Sequence, residues 1–205
     1  PLLIDTVTEL FRHDLGMRGS LYTLDMPRLY KNQKYLQSIS LEYVKKIIVE
    51  SEIEVQNLAC MIGLMEGKLP ESDLKIICNN YSVKEGLIRT KLFQFQNGNI
   101  QIRHMFYLGP LQQMAFLSSY RQHEIYTMLF DKIELLSVDK FCKTIKKIQL
   151  AIFLENRQYL GEKWKEVISN LLFQEDYVLA QSLLKDVYNL MENDFSVSEL
   201  FDIFL

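Results

Sequence analysis

Asn97-Gly98 separates two short runs in which apolar and polar residues alternate, and no other pair in the chain restricts its fold as much. Phe93 and Phe95 alternate with Gln94 and Gln96 before it, and Ile100 and Ile102 alternate with Gln101 and Arg103 after it. A period of two puts the apolar side chains on one face of a strand, and Asn-Gly suits the positive φ angles of a two-residue hairpin turn. The spacing predicts paired strands near 92–96 and 99–104. Upstream, Leu74, Ile77 and Cys78 give a short helix an apolar face, and Asn79-Asn80 ends it. Ser82 then reads as an N-cap, with Glu85 three residues on as in a capping box, and Leu87, Ile88 and Leu92 as the buried stripe. A preceding helix, marked by Ile53, Leu58, Ala59, Ile62 and Met65, stops at Gly67. Helix, two short helices and a hairpin follow the order of a winged helix, here spanning 51–108.

Composition agrees with a helix-rich, compact chain. The sequence has 205 residues, is 48% hydrophobic and contains only 8 Gly and 4 Pro, enough apolar material for one large or two small cores. A net charge of −3 gives no general attraction to nucleic acid or anionic membrane. The three cysteines, Cys60, Cys78 and Cys142, form no CxxC pair and read as free thiols of a reducing cytoplasm. No apolar run of about 18 residues is present, so no membrane span is expected. The chain begins at Pro1 rather than Met, which suggests a piece of something longer.

On either side of the hairpin region the periodicity is helical. Leu3, Val7, Leu10 and Phe11 predict a helix over about 2–15, closed by Gly16. A connection follows over 17–37, and Ser40 reads as the cap of a helix through Ile48, so that 1–50 forms a helical lead-in. Beyond the wing, helices are expected at about 110–136, 138–156, 160–173, 175–192 and 197–205, joined by short turns. Such helices must run antiparallel, and about 35 residues per pair is near the tetratricopeptide length. Tyr159, Leu160 and Gly161 match its L-G fragment, without a second copy in register. The fold class is therefore mainly α: a winged helix with a small β-hairpin, an N-terminal helix, and a TPR-like antiparallel array over 109–205.

Little in the chain carries chemistry. No Gly-rich phosphate loop, GKS or GKT occurs, so the chain has no nucleotide site of that kind and no legible catalytic centre. His13, His104 and His123 lie far apart and the cysteines do not complement them, so no metal is expected. Glu50, Glu52 and Glu54 read as a solvated face, and so do Lys140, Lys143, Lys146 and Lys147. His123 reads as an anchor of helix packing. A DNA-binding reading would send Lys84, Arg89 and Lys91 of the second short helix to the major groove. Residues 70–105 carry Lys75, Lys84, Arg89, Lys91 and Arg103 against Glu71, Asp73 and Glu85, a margin of about two charges where DNA readers show a distinct basic face.

The stretch 100–136 resembles the junction between winged helix and helical repeats in the STAND class of AAA-like signalling ATPases, which includes bacterial regulators and adenylyl cyclases. There the wing strand ends in an apolar-x-[FY]-x-H pattern. The corresponding residues here are Ile100, Gln101, Ile102, Arg103 and His104, with Ile102 in the aromatic place. A helix then carries a parRr.lH..ia..le pattern, matched by Phe116 to His123 and by Ile125 to Ile133. Such proteins also open a helix with G-x-P-L at the end of the nucleotide-binding domain, and this chain opens with Pro1, Leu2 and Leu3. The resemblance implies a regulatory segment downstream of an absent ATP/ADP-binding core, with no cofactor held by this chain alone. It further implies that Pro1 packs beside the adenine and that His104, with Arg103 as its neighbour, approaches the ADP phosphate in the closed state. The bland alternative is that His104 caps the hairpin or the following helix. The partners implied are the absent nucleotide-binding domain and a protein bound by the helical array. A nucleotide-independent scaffold and a winged-helix DNA-binding regulator are the other functional classes.

Overall fold

The computed structural model describes residues 33–191 apart from Asn79, with side chains from Ser40 onward. The expected helices over 2–15 and 197–205, and Pro1, lie outside the described residues. The chain divides into two compact units, Pro1–Ser118 and Ser119–Leu205, so the division falls beyond residue 108. The described residues are mainly helical, with one small antiparallel sheet.

In the first unit α1 (Gln33–Val49) is followed by α2 (Ile53–Leu64). Ser40 lies within α1 rather than capping a helix, and it is buried. Its hydroxyl donates to the Phe106 carbonyl, which explains a polar side chain at an interior position. Every residue of α2 from Leu58 to Leu64 is buried, as expected of a helix that is apolar all round. The helix ends where Gly67 turns back at φ +76° and donates its N–H to the Ile62 carbonyl at 2.8 Å.

Next come β1 (Lys68–Pro70), α3 (Glu71–Ile77), α4 (Tyr81–Arg89), β2 (Phe93–Gln96) and β3 (Asn99–Ile102). The hairpin forms as its alternation predicts, with Phe93 opposite Ile102 and Phe95 opposite Ile100. Asn97 and Gly98 carry the positive φ angles, 51° and 72°. β1 was not expected, and it pairs along the other side of β3, so the sheet order is β1-β3-β2. Three residues ending in proline carry no alternation signal, and Pro70 is tolerated because β1 is an edge strand. Leu69 meets Ile100 across it, and both are buried.

The cap of α4 also differs from expectation. Asn80, not Ser82, is the N-cap, and its side chain accepts from the Ser82 N–H at 3.0 Å and from the Ser82 hydroxyl at 2.8 Å. Asn and Ser are both strong caps, and the one placed first in extended conformation takes the role. Glu85 is then released from any capping box and pairs with Arg89 one turn on.

The helix expected over 110–136 is broken. A 3-10 turn (Met105–Tyr107) leads into α5 (Leu108–Gln113), and the left-handed Met114 (φ 48°) ends it. Gly63 lets α5 lie against α2, since a Cβ there would come within 2.6 Å of the Leu111 Cβ.

The second unit comprises α6 (Ser119–Lys132), a 3-10 turn (Ile133–Leu135), α7 (Lys140–Phe153), α8 (Arg157–Phe173) and α9 (Tyr177–Met191). The last three repeat at a spacing of twenty residues. Phe153, Glu155 and Asn156 recur as Phe173, Glu175 and Asp176. Both glutamates are left-handed, with φ 51° and 61°. Both following residues cap the next helix, Asn156 accepting from the Tyr159 N–H at 3.1 Å and Asp176 from the Leu179 N–H at 3.2 Å. The core repeats too, with Ile148 and Ile168, Ala151 and Leu171, Leu160 and Ala180, and Val167 and Val187 all buried. Each three-residue turn reverses the chain, so consecutive helices pack antiparallel around this stripe.

Candidate functional site

His104 follows the last strand by two residues. Its backbone is extended (φ −138°, ψ 133°), and its carbonyl accepts the Tyr107 N–H at 3.0 Å, opening the 3-10 turn. The imidazole makes no capping hydrogen bond. It lies edge-on to the Tyr107 ring at 5.6 Å, and that ring in turn stacks on Tyr43 of α1 at 5.8 Å. Tyr107 is buried while His104 is half-buried, so the imidazole rests on a fixed ring and is partly accessible to solvent. A neutral or protonated imidazole so placed can donate a hydrogen bond outward.

Arg103 takes a different direction. Its N–H closes on the Leu92 carbonyl at 2.8 Å, and its Nε donates to the Phe93 carbonyl at 3.2 Å, tying it to the start of β2. The side chain secures the hairpin edge. Arg103 Nε serves the Phe93 carbonyl while the His104 ring lies against Tyr107, so the two side chains engage different partners and do not form one pincer. Pro1 lies outside the described residues.

The three cations assigned to a DNA surface are not a set. Lys84 forms an ion pair with Glu71 of α3 and sits over the Phe95 ring at 4.5 Å, so it fastens α4 to its neighbours. Arg89 is 79% exposed and paired with Glu85 at 3.1 Å. Lys91 is exposed and left-handed (φ 60°) in the turn after α4. Arg89 and Lys91 line an open groove of about 280 Å³ together with Tyr43, Ile47 and Glu50. Mixed charge along it provides no uniform basic face.

Two expectations about the second unit are corrected. His123 is exposed and does not anchor packing; its carbonyl accepts the Thr127 hydroxyl. Lys147 does not lie on a wet face, because its Nζ pairs with Glu134 at 2.9 Å and stands 5.1 Å from the Phe130 centroid and 5.2 Å from that of Tyr159. The two rings meet edge to face at 5.2 Å. The Tyr159 hydroxyl has its pKa pushed from 10.0 to about 12, first by burial and then by the nearby carboxylates of Glu134 and Glu166. No periodicity singles out Lys147 among its neighbours, since the box is assembled from three helices and a turn.

Cys60 is buried, Cys78 half-buried and Cys142 exposed, and none of the three is in a disulfide. Among the described residues no group of three or more His, Cys, Asp or Glu could hold a metal ion. Nor is any described helix long and apolar enough to cross a membrane. No protein-family model matches the chain, and no curated protein or solved structure is similar enough to count as a match.

Proposed function

We propose that the chain is a regulatory segment of a cytoplasmic STAND-type signalling ATPase and is not itself an enzyme. The first unit is read as a winged helix that holds the nucleotide state, and the second as a TPR-like array that binds protein. Support for the winged helix comes from the order helix, strand, two helices and hairpin, with the middle place in the sheet taken by the last strand. The observation that carries the nucleotide reading is His104, which stands two residues past the sheet, half-buried and edge-on to the Tyr107 ring.

The residues present fit an ADP phosphate in one respect. A half-buried imidazole held by an aromatic ring is a pre-positioned hydrogen-bond donor, and it loses its acceptor when domains rotate apart. Arg103 is assigned to positioning, because its Nε serves the Phe93 carbonyl. The adenine contact of Pro1 rests on the resemblance alone. Bound ADP would supply a phosphate for the closed, resting state in the parent protein. DNA binding is the weaker reading, since Lys84 is engaged with Glu71 and Phe95 and Arg89 with Glu85. A nucleotide-independent scaffold would keep the array and lose the role of His104.

The test is ADP dissociation from the parent protein with His104 and with His104→Ala. The variant chain should stay folded, since one half-exposed hydrogen-bonding group contributes about 0.5–1.5 kcal/mol. ADP should leave about 5–150-fold faster, the range of coupling between such sites. Equal rates in a folded variant would remove the sensor role.

A further inference from the structure

The second unit contains two turns built alike, one whose phenylalanine is stacked on a neighbouring ring and still 57% exposed, and one whose phenylalanine is 90% exposed with no ring among the described residues stacked on it. In the α7–α8 turn Phe153 lies face to face with Tyr126 of α6, with centroids 4.7 Å apart and planes 5° from parallel. Its counterpart Phe173 closes α8 and is 90% exposed, followed by Tyr177 at 60% and Val178 at 82%. Single exposed apolar residues are ordinary, but three large ones around one tight turn form a patch of the kind that marks contact sites. The charges differ as well. Glu155 is followed by Asn156 and Arg157, whereas Glu175 is followed by Asp176 and Tyr177, and no Lys or Arg occurs from Glu166 to Leu184. Asp139 and Lys140, which the topology brings to the same end, offset each other.

We propose that the α8–α9 turn is a docking site for a helix of a partner protein that presents an aromatic residue flanked by Lys or Arg. The partner's ring stacks on Phe173 as Tyr126 stacks on Phe153, and its cations face Glu175 and Asp176. A second copy of this chain fits less well, because a two-fold contact would set these acids against their own copies. Residues 192–205 also fit less well, since they contain Glu192, Asp194, Glu199 and Asp202 and no Lys or Arg. The inference deepens the reading of the array as a protein-binding module and rests on that reading, but not on the role of His104.

The probe is a synthetic helical peptide with one Tyr flanked by Lys one turn away on each side, together with versions carrying Ala for Tyr or Glu for Lys. Binding to the whole chain is followed by fluorescence anisotropy, and the contact is mapped by amide chemical shifts. The Tyr/Lys peptide should shift amides around Phe173, Tyr177 and Val178, bind more weakly as salt rises, and lose about tenfold in affinity with Phe173→Ala. The double variant Glu175→Gln, Asp176→Asn should also weaken it, while keeping an Asn cap like that of Asn156. Equal binding of the Glu-bearing peptide, or no binding of the Tyr/Lys peptide, overturns the proposal. Hydroxyl-radical oxidation of Phe173 without peptide provides the second arm. Protection independent of chain concentration assigns the patch to residues 192–205, and protection that grows with concentration assigns it to a second copy; either result overturns the proposal. His104→Ala should leave peptide binding unchanged, so a failure here and a failure of the nucleotide reading are distinguishable.

Discussion

The two units are held together by different kinds of contact. In the first, neighbours in space are far apart in the chain: Leu69 pairs with Ile100, Gly63 fits against Leu111, and Ser40 bonds to Phe106. In the second, the last three helices pack each against the one before through a stripe that recurs every twenty residues, with a left-handed Glu followed by a capping Asn or Asp at both turns. The first unit thus depends on close fits at single points, and the second on a local pattern used repeatedly. A point change should therefore be absorbed differently in each.

The largest effect should come from Trp164→Ala. Trp164 is buried within the repeated stripe, so its loss should cost about 3–5 kcal/mol and raise amide exchange throughout α7–α9. Exchange raised only in the adjoining turns would mean that the array is less cooperative than its continuous core implies.

In the first unit, Gly63→Ala should cost about 1–3 kcal/mol, although it adds only a methyl group. Its Cβ would meet the Leu111 Cβ at 2.6 Å and the Leu111 backbone carbon at 3.1 Å, so backbone rather than a flexible side chain must yield. Denaturant unfolding measures this. No loss would show that α5 moves away from α2 freely.

Asn156→Ala and Asp176→Ala should each cost about 1 kcal/mol, because each removes the acceptor for an N–H in the first turn of a helix. The repeat predicts similar values for the two. A difference well above 1 kcal/mol would indicate that the turns are equivalent in shape but not in energetics.

A further effect appears only at alkaline pH and is confined to the second unit. The Tyr159 pKa is raised to about 12 in the folded chain against 10.0 for the free side chain. Its contribution is therefore fully present below pH 10 and is lost as pH rises through 12. The absorbance titration of the native chain minus that of Tyr159→Phe should show one phenol ionising about two units late, and Tyr159→Phe should flatten the loss of stability above pH 10. A difference titration centred at 10 would mean that burial and Glu134 do not act on this hydroxyl.

The hairpin and the helices were legible from residues alone because their signals are short-range. Asn97-Gly98 demands its turn, Phe93 and Phe95 alternate with glutamines, and apolar residues in α2, α7, α8 and α9 recur at helical spacing. The repeat of Phe-x-Glu-Asn/Asp was equally present in the sequence, but it does not follow the tetratricopeptide signature and was visible only once both glutamates were seen in the same conformation. At the candidate site the sequence singled out His104 and Arg103, while the tertiary structure separated them by sending one side chain to Tyr107 and the other to Phe93.

What the sequence determined by itself is the set of elements whose signals lie within a few residues: one hairpin, the cores of most helices, and acids and cations enough to keep both units wet outside. The tertiary structure alone decided the strand Lys68–Pro70, the break at Met114, the burial of Ser40 and the box around Lys147. It also stacked Phe153 on Tyr126 and left Phe173 the more exposed of the two. Each depends on a partner distant in the chain, a strand edge, a carbonyl or a ring, and a residue's own neighbours contain no record of that partner.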